Sequence, residues 1–123
     1  MFTVNPRSIT PLYEQLEQNI ISMIASGILS ADDQLPSVRS LARDLGLNPN
    51  TVQKAYSHLE DRGIIYQATG RGSFVAGVEA AMDRITNETL DSLRKSFIDA
   101  KRAGVTLDQI IKTAKSVFEE GKE

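Results

Sequence analysis

Residues 48–62 have the sequence NPNTVQKAYSHLEDR, which carries the signals of one complete helix. Asn48 is a preferred residue at a helix N-cap, and Pro49 suits the first helical position. Gly63 follows where a left-handed residue commonly ends a helix. The sequence therefore predicts one helix over residues 48–62.

This helix has an apolar face and a polar face. At about 100° per residue, one face collects the apolar side chains of Val52, Ala55, Tyr56 and Leu59. The opposite face is polar, with Thr51 and His58 at its flank, and carries Asn50, Gln53, Lys54 and Ser57. Amide side chains can pair with adenine edges in a major groove, and lysine can reach guanine or phosphate. An isolated helix with a merely solvated polar face would carry the same types of residue. The neighbouring segments must therefore distinguish a DNA-binding face from a solvated one.

A second helix is predicted immediately before the first. Pro36 disfavours helical geometry at the residue before it, and Ser37 can accept from the free amides of a first turn. The buried face of this helix consists of Val38, Leu41, Ala42 and Leu45, and Gly46 ends it. Only Gly46-Leu47 separates it from Asn48. Two helices joined by a short glycine-containing turn predict a helix-turn-helix.

The segments on either side complete the predicted domain. Residues 1–9 are expected to form an extended arm, after which Thr10 caps and Pro11 opens a helix with an apolar stripe at Leu12, Leu16, Ile20, Met23 and Ile24. Residues 64–67 are rich in strand formers, residues 69–72 contain two glycines, and residues 73–75 return as a second strand. The predicted fold is mainly α with a small β-hairpin: a winged helix-turn-helix followed by a two-helix dimerisation tail.

A longer set of motifs resembles one known family. In order, they are LPSVR at 35–39, LA at 41–42, NPNTV at 48–52, LE at 59–60, GII at 63–65 and GRGSFV at 70–75. This set is similar to the GntR family of bacterial transcription regulators, and the short tail resembles its YtrA-like branch. The resemblance implies a homodimeric repressor that binds double-stranded DNA at an inverted-repeat operator. Residues 48–62 would lie in the major groove and the wing, residues 64–75, at the minor groove.

The resemblance also assigns roles to individual residues. Ser37 and Arg39, at the start of the second helix, would hold phosphate or base. The major-groove positions would be Asn48, Asn50, Thr51, Gln53 and Lys54, and Ser57 lies on the same predicted face. Thr69, Gly70 and Arg71 would form the tip of the wing. Many relatives carry a basic residue where this chain has Pro49, and often another at the position of Gln53, so their base preferences do not transfer directly.

The remaining residues, 77–123, predict two amphipathic helices. Thr106 and Gln109 form the signature of a capping box at the start of the second. Such short helices hide too little surface alone, so we expect them to pack on each other and on a second subunit. The alternative is that they lie on the winged helix of the same chain. The expected dimer interface comprises Met82, Ile85, Leu90, Leu93, Phe97, Ile110, Ile111, Val117 and Phe118. Residues 1–76 would then form the DNA-binding domain and residues 77–123 the dimerisation region.

Composition limits the other classes of function. The net charge is −2, but residues 37–73 carry five basic and three acidic side chains, which makes that segment +2. The basic surface is therefore local. There is no cysteine, no signal peptide and no apolar run long enough to span a membrane, so a cytoplasmic protein is expected.

No cofactor, metal site or enzymatic activity is expected, because His58 is the only histidine and no nucleophile–base set is evident. The tail also leaves no room for a large ligand-binding domain, and the sequence does not identify a small-molecule effector. The alternative function is a winged-helix protein-interaction module without DNA binding. Such a module would favour acidic or apolar residues where this chain has Asn50, Gln53, Lys54 and Arg71.

Overall fold

The computed structural model describes residues 2–120, and its elements follow the predicted order. The helices and strands of this part of the chain are α1 (Leu12–Ala25), α2 (Val38–Leu45), α3 (Pro49–Asp61), β1 (Ile65–Ala68), β2 (Gly72–Val75), α4 (Glu79–Arg102) and α5 (Leu107–Glu120). The strands pair antiparallel, with Ile65 opposite Val75 and Ala68 opposite Gly72. The mainly α fold with a small hairpin is confirmed.

The chain divides into two compact units, Met1–Asp83 and Arg84–Glu123. In the first unit, α3 packs against α1, α2 and β1. The side chains at the centre of its core have no exposed surface; they are Leu16, Ile20, Val52, Ala55, Tyr56, Leu59, Ile64 and Val75. The apolar face predicted for α3 is therefore the face that holds this unit together.

Local capping fixes the ends of α2 and α3 as the sequence predicts. The Ser40 amide donates to Ser37 Oγ at 3.1 Å, and the Asn50 amide donates to Asn48 Oδ1 at 2.8 Å. Gly46 follows α2 in the left-handed region with φ 68°, a conformation that glycine adopts without steric cost. The turn between the two helices is therefore set by its own residues.

The predicted start of α1 is wrong by one position. The sequence predicts that Thr10 caps the helix and Pro11 opens it, but Pro11 itself occupies the N-cap with ψ 148°, and the first helical residue is Leu12. Proline fixes φ but not ψ, so an extended ψ keeps Pro11 outside the helix. Gln15 Nε2 donates to the Thr10 carbonyl at 2.8 Å and so holds the chain before the helix.

The N-terminal arm is held against α1 by amide side chains. The Thr3 amide donates to Asn19 Oδ1 at 3.0 Å, and Asn19 Nδ2 returns a bond to the Thr3 carbonyl at 3.2 Å. Asn5 exchanges an equivalent pair of bonds with Gln15, at 2.7 and 3.0 Å. The arm is thus fastened along one side of the helix, but it is not extended throughout as predicted for residues 1–9: it turns at residues 6–7, where the Ser8 amide donates to the Asn5 carbonyl at 3.1 Å. Met1 lies outside the described residues.

The second unit contains most of α4 and all of α5. The predicted capping box is present: Gln109 N donates to Thr106 Oγ1 at 3.1 Å, and Thr106 N donates to Gln109 Oε1 at 2.9 Å. Ala100 and Ile110, near the turn between the helices, are half-buried, whereas Val117 and Phe118 are 58% and 79% exposed. Packing within this unit therefore leaves much of the apolar face of α5 uncovered. Within the described range, none of the helices is both long and apolar enough to cross a membrane.

Candidate nucleic-acid interface

The orientation of α3 is fixed by its buried face. Val52, Ala55 and Leu59 are fully buried, and the buried Tyr56 side chain reaches out of the core to the start of α2. Its hydroxyl donates to the Pro36 carbonyl at 2.7 Å, and burial raises the pKa of this phenol well above its usual range. Because the phenol remains a neutral donor, this bond ties α3 to the segment that precedes α2.

The opposite face of α3 presents the polar residues that the sequence places there. Asn50, Gln53 and Lys54 are exposed, and Thr51 and Ser57 are half-buried at the edge of the same face. Asn48 is exposed just ahead of the helix, but its side-chain oxygen already accepts the capping bond, which leaves its NH₂ group to donate. The face therefore offers amide donors and acceptors, hydroxyls and one cation.

Gln53 is held in place by its neighbour one turn on. Its Nε2 donates to Ser57 Oγ at 3.0 Å. This bond uses one of the two N–H donors of the amide and leaves the other donor and the oxygen for a partner. Ser57 is not part of the motif, but its hydroxyl orders the Gln53 amide, which the family resemblance predicts to lie in the major groove.

Lys54 lies against an aromatic ring of α1. Its Nζ is 4.0 Å from the centroid of the Tyr13 ring, a cation–π arrangement. The same tyrosine ring is nearly perpendicular to the ring of His58, with centroids 5.3 Å apart and planes at 88°. Tyr13 is not among the residues predicted from the sequence, although it precedes the fully buried Ile20 by seven residues and so lies near the face of α1 that meets α3.

Glu17 is a buried acid that the motifs do not indicate. It is only 7% exposed, with His58 Nδ1 at 3.6 Å and an Arg62 nitrogen at 3.9 Å from its carboxylate oxygens. Burial raises the pKa of Glu17, and the opposing attraction of His58 and Arg62 does not cancel that effect. Spacing could have indicated this position, since Glu17 lies between Tyr13 and Ile20 on the stripe of α1.

The cations expected outside α3 are exposed. Arg39 is in the first turn of α2, where Ser37 uses its hydroxyl as the cap, and Arg71 is in the turn between β1 and β2 beside Thr69 and Gly70. The Arg71 amide donates to the Ala68 carbonyl at 2.8 Å and closes that turn. None of the ion pairs formed among residues 2–120 uses Arg39 or Arg71. Both guanidinium groups are thus accessible to an anion.

The predicted site residues therefore form two groups in the first unit. One group lies along α3 and the start of α2, and the other lies at the tip of the hairpin. The residues expected at a dimer interface lie on α4 and α5: Met82, Ile85 and Ile110 are half-buried, while Leu90, Leu93, Phe97, Ile111, Val117 and Phe118 are exposed.

Comparison with known proteins identifies the family. The model of the bacterial regulatory proteins of the gntR family matches residues 12–75. The HTH-type transcriptional repressor YtrA of Bacillus subtilis is 40% identical over 95% of this chain and 92% of its own length. A structure described as a transcriptional antiterminator from Listeria monocytogenes EGD-e superposes with a TM-score of 0.80, is 34% identical, and is matched over 95% of this chain and 89% of its own.

A third similar protein has been solved in complex with DNA. The DNA-binding domain of AraR, solved in complex with its operator ORX1, superposes with a TM-score of 0.55 at 31% identity, over 61% of this chain and 93% of that domain. The helix-turn-helix and wing thus share their fold with a domain seen on DNA. The chain is a member of the GntR family, similar to its short YtrA-type members, and it is a DNA-binding transcription regulator rather than an enzyme.

Proposed function

We propose that this protein is a homodimeric repressor that binds an inverted-repeat operator in the cytoplasm. In this proposal residues 1–76 form the DNA-binding domain and residues 77–123 the dimerisation region; residue 1 and residues 121–123 lie outside the described part. The helix α3 enters the major groove and the hairpin reaches the adjoining minor groove. No cofactor takes part, and we assign no small-molecule effector.

The observation that supports the proposal most strongly is that α3 has a buried apolar face on one side and an exposed polar face on the other. One face is completely buried at Val52, Tyr56 and Leu59, so the helix cannot rotate without opening the core. The other face presents Asn50 and Gln53, whose amides can each pair with an adenine edge. A rigidly mounted helix with exposed amides is suited to sequence-specific contact.

Phosphate contacts would fix the register of α3 in the groove. Arg39 and Lys54 flank the amides, and Arg39 lies in the first turn of α2, where free amides and the helix dipole also favour an anion. The Glu17 carboxylate offsets part of the positive charge of Arg62, whose guanidinium nitrogen lies 3.9 Å from it. The affinity should therefore depend on a few placed cations rather than on a broad basic surface.

Dimerisation is supported by the apolar side chains of the second unit. Leu90 is 56% exposed, and Phe97 on the same helix is 41% exposed. Burying such side chains releases on the order of 25 cal/mol per Å² of apolar surface, so a second copy presenting the same face would be favoured. Two linked binding domains also raise affinity for a repeated site through effective concentration.

Fluorescence anisotropy with a duplex from the protein's own upstream region tests the proposal. Titrations at several salt concentrations should give a steep linear fall of log affinity with log salt. Arg39→Ala should weaken binding to every sequence and lower that slope by about one for each phosphate that Arg39 neutralises, at both half-sites. Lys95→Ala, an exposed lysine on α4, serves as the control for loss of one positive charge.

Two results would contradict the proposal. Equal affinity for the upstream duplex and for a scrambled duplex would mean that α3 does not select sequence. Absence of binding at low salt, with the protein folded, would favour the alternative of a protein-interaction module.

A further inference from the structure

Gln34 connects the segment before α2 to the tip of the hairpin. Its side-chain Nε2 donates to the Arg71 carbonyl at 3.0 Å across 37 positions of sequence. Its backbone forms a bridge with Phe74, and the next amide, Leu35 N, donates to the Ser73 carbonyl at 2.8 Å. The backbone thus sets Gln34 beside β2, and the side chain extends this contact to the turn.

The hairpin is shaped to receive this amide. Gly72 has φ 120°, and a Cβ atom at this residue would lie 2.9 Å from Gln34 Nε2. A Cβ atom there would displace the Gln34 amide, and the backbone conformation is one that residues other than glycine rarely adopt. The absence of a side chain at residue 72 is therefore what allows Gln34 to reach the Arg71 carbonyl.

Separate contacts hold the base of the hairpin. The Tyr66 hydroxyl donates to Asp32 Oδ1 at 2.8 Å, and the Tyr66 ring stacks on Phe74 with centroids 5.5 Å apart. The Val75 amide donates to the Asp33 carbonyl at 2.9 Å. Removal of the Gln34 side chain would leave these interactions in place, so its effect should be confined to the turn.

Arg71 needs such a support because it lies between two glycines. Gly70 and Gly72 both have positive φ, and glycine loses more conformational freedom on ordering than other residues. A turn that is disordered in the free protein must be ordered when it binds, and this lowers affinity. A hydrogen bond to the carbonyl of the residue between the glycines restricts the turn before DNA arrives.

We propose that Gln34 is a positioning residue for the wing: by binding the Arg71 carbonyl, its amide presents the Arg71 guanidinium to the minor groove. This inference rests on the proposed function, in which Arg71 contacts the minor groove. A narrow, A·T-rich minor groove attracts arginine through its negative potential. Gln34 therefore acts on flanking-sequence preference through Arg71, without touching a base itself.

Gln34→Met in the full-length chain removes the donor, keeps the side-chain length and adds no charge. One hydrogen bond corresponds to a factor of roughly 2–10 in an equilibrium, so preference for A·T-flanked over G·C-flanked operators should fall by about that factor. The matched control is Gln18→Met, an exposed glutamine on α1. In an Arg71→Ala background, Gln34→Met should change neither affinity nor flank preference. An equal loss in both backgrounds would show that Gln34 touches DNA directly and would overturn the proposal.

Nuclear magnetic resonance relaxation of the free protein supplies a readout independent of DNA. Backbone order parameters at Gly70, Arg71 and Gly72 should fall from the rigid range near about 0.85 toward about 0.6 in Gln34→Met and stay unchanged in Gln18→Met. Unchanged values in Gln34→Met would overturn the positioning role. Failure of the unaltered protein to select an operator would instead count against the proposed function, and the order parameters would still decide whether Gln34 restrains the turn.

Discussion

The ammonium nitrogen of Lys54 lies 4.0 Å from the centroid of the Tyr13 ring, and this contact joins the outer face of α3 to the first turn of α1. The lysine is exposed, yet its side chain has a preferred place on the surface. A cation held over a ring loses less freedom when it binds an anion than one on a free side chain. The contact thus relates the packing of two helices to the surface that we propose faces DNA.

A double-mutant cycle measures this contact. Tyr13→Leu and Lys54→Met should show a coupling of about 0.5–1 kcal/mol in the free energy of unfolding, the usual range for an exposed cation–π pair. Tyr13→Phe retains the ring and should retain most of the coupling. Denaturant titrations of the four proteins in the cycle provide the values, and additive effects would mean that the lysine does not use the ring.

The amides of α3 should determine base preference without contributing to stability. Gln53→Ala and Asn50→Ala should each cost about 1–3 kcal/mol of discrimination at particular base pairs, as expected when a bidentate contact is removed. Binding to non-specific DNA should change little. Selection of bound duplexes from a randomised library identifies the affected positions.

The matched control for Gln53→Ala is Ser57→Ala, which removes only the partner that accepts from Gln53 Nε2. It should reduce discrimination at the same base pair, but by less. Thermal unfolding of these variants should be nearly unchanged because Asn50 and Gln53 are exposed. A variant that unfolds would show that the face of α3 has been assigned incorrectly.

Glu17 should make stability depend on pH in a defined direction. Its pKa is raised by burial in the folded protein, so its contribution to stability is full below the unfolded value, about 4.3, and is lost as pH rises through the folded pKa. Glu17→Gln removes this ionisation. It should stabilise the protein by on the order of 1 kcal/mol at pH 7.5, and the gain should shrink as the pH is lowered through the folded pKa toward the unfolded value, about 4.3.

Comparing Glu17→Gln with the unaltered protein at each pH cancels the titration of the groups that do not interact with Glu17. Asp91→Asn, an exposed carboxylate of α4, is the control for loss of one negative charge. A loss of stability at pH 7.5 that disappears on acidification would mean that attraction by His58 and Arg62 outweighs burial.

The second unit should be required for dimerisation but not for folding of the first. Deleting residues 84–123 leaves the core around α3 complete, so the remainder should fold and sediment as a monomer. Its affinity for an inverted repeat should fall by about 10²–10⁴, with affinity for a single half-site unchanged. In the full chain, Phe97→Asp should dissociate the dimer and Lys95→Asp should not. A truncated protein that sediments as a dimer would contradict this assignment.

The sequence predicts those features that depend on a few adjacent residues. The caps at Ser37 and Asn48, the left-handed glycines after α2 and α3, and the capping box at Thr106 all follow from local chemistry and are present. The predicted start of α1 is misplaced because proline is compatible with both the cap and the first turn. Local signals therefore establish the helices and the order in which they occur.

The residues that position the candidate DNA-binding side chains could not be predicted in the same way. Gln34 and Arg71 are far apart in the sequence, and their contact exists only because the segment before α2 lies beside β2. Tyr13 matters because α1 packs on α3, which brings the ring under Lys54. The residues expected to bind DNA directly belong to a known motif, whereas the residues that position them depend on tertiary contacts that a motif does not contain.

Hydroxyl-radical footprinting of the full-length protein on its upstream duplex tests whether two copies of α3 bind an inverted repeat. A homodimer with α3 in the major groove should protect two symmetry-related half-sites, with centres about 10 base pairs or a multiple of that distance apart. Gln53→Ala should weaken protection of both half-sites together. Protection of one isolated half-site, or a uniform pattern that does not depend on sequence, would contradict the account.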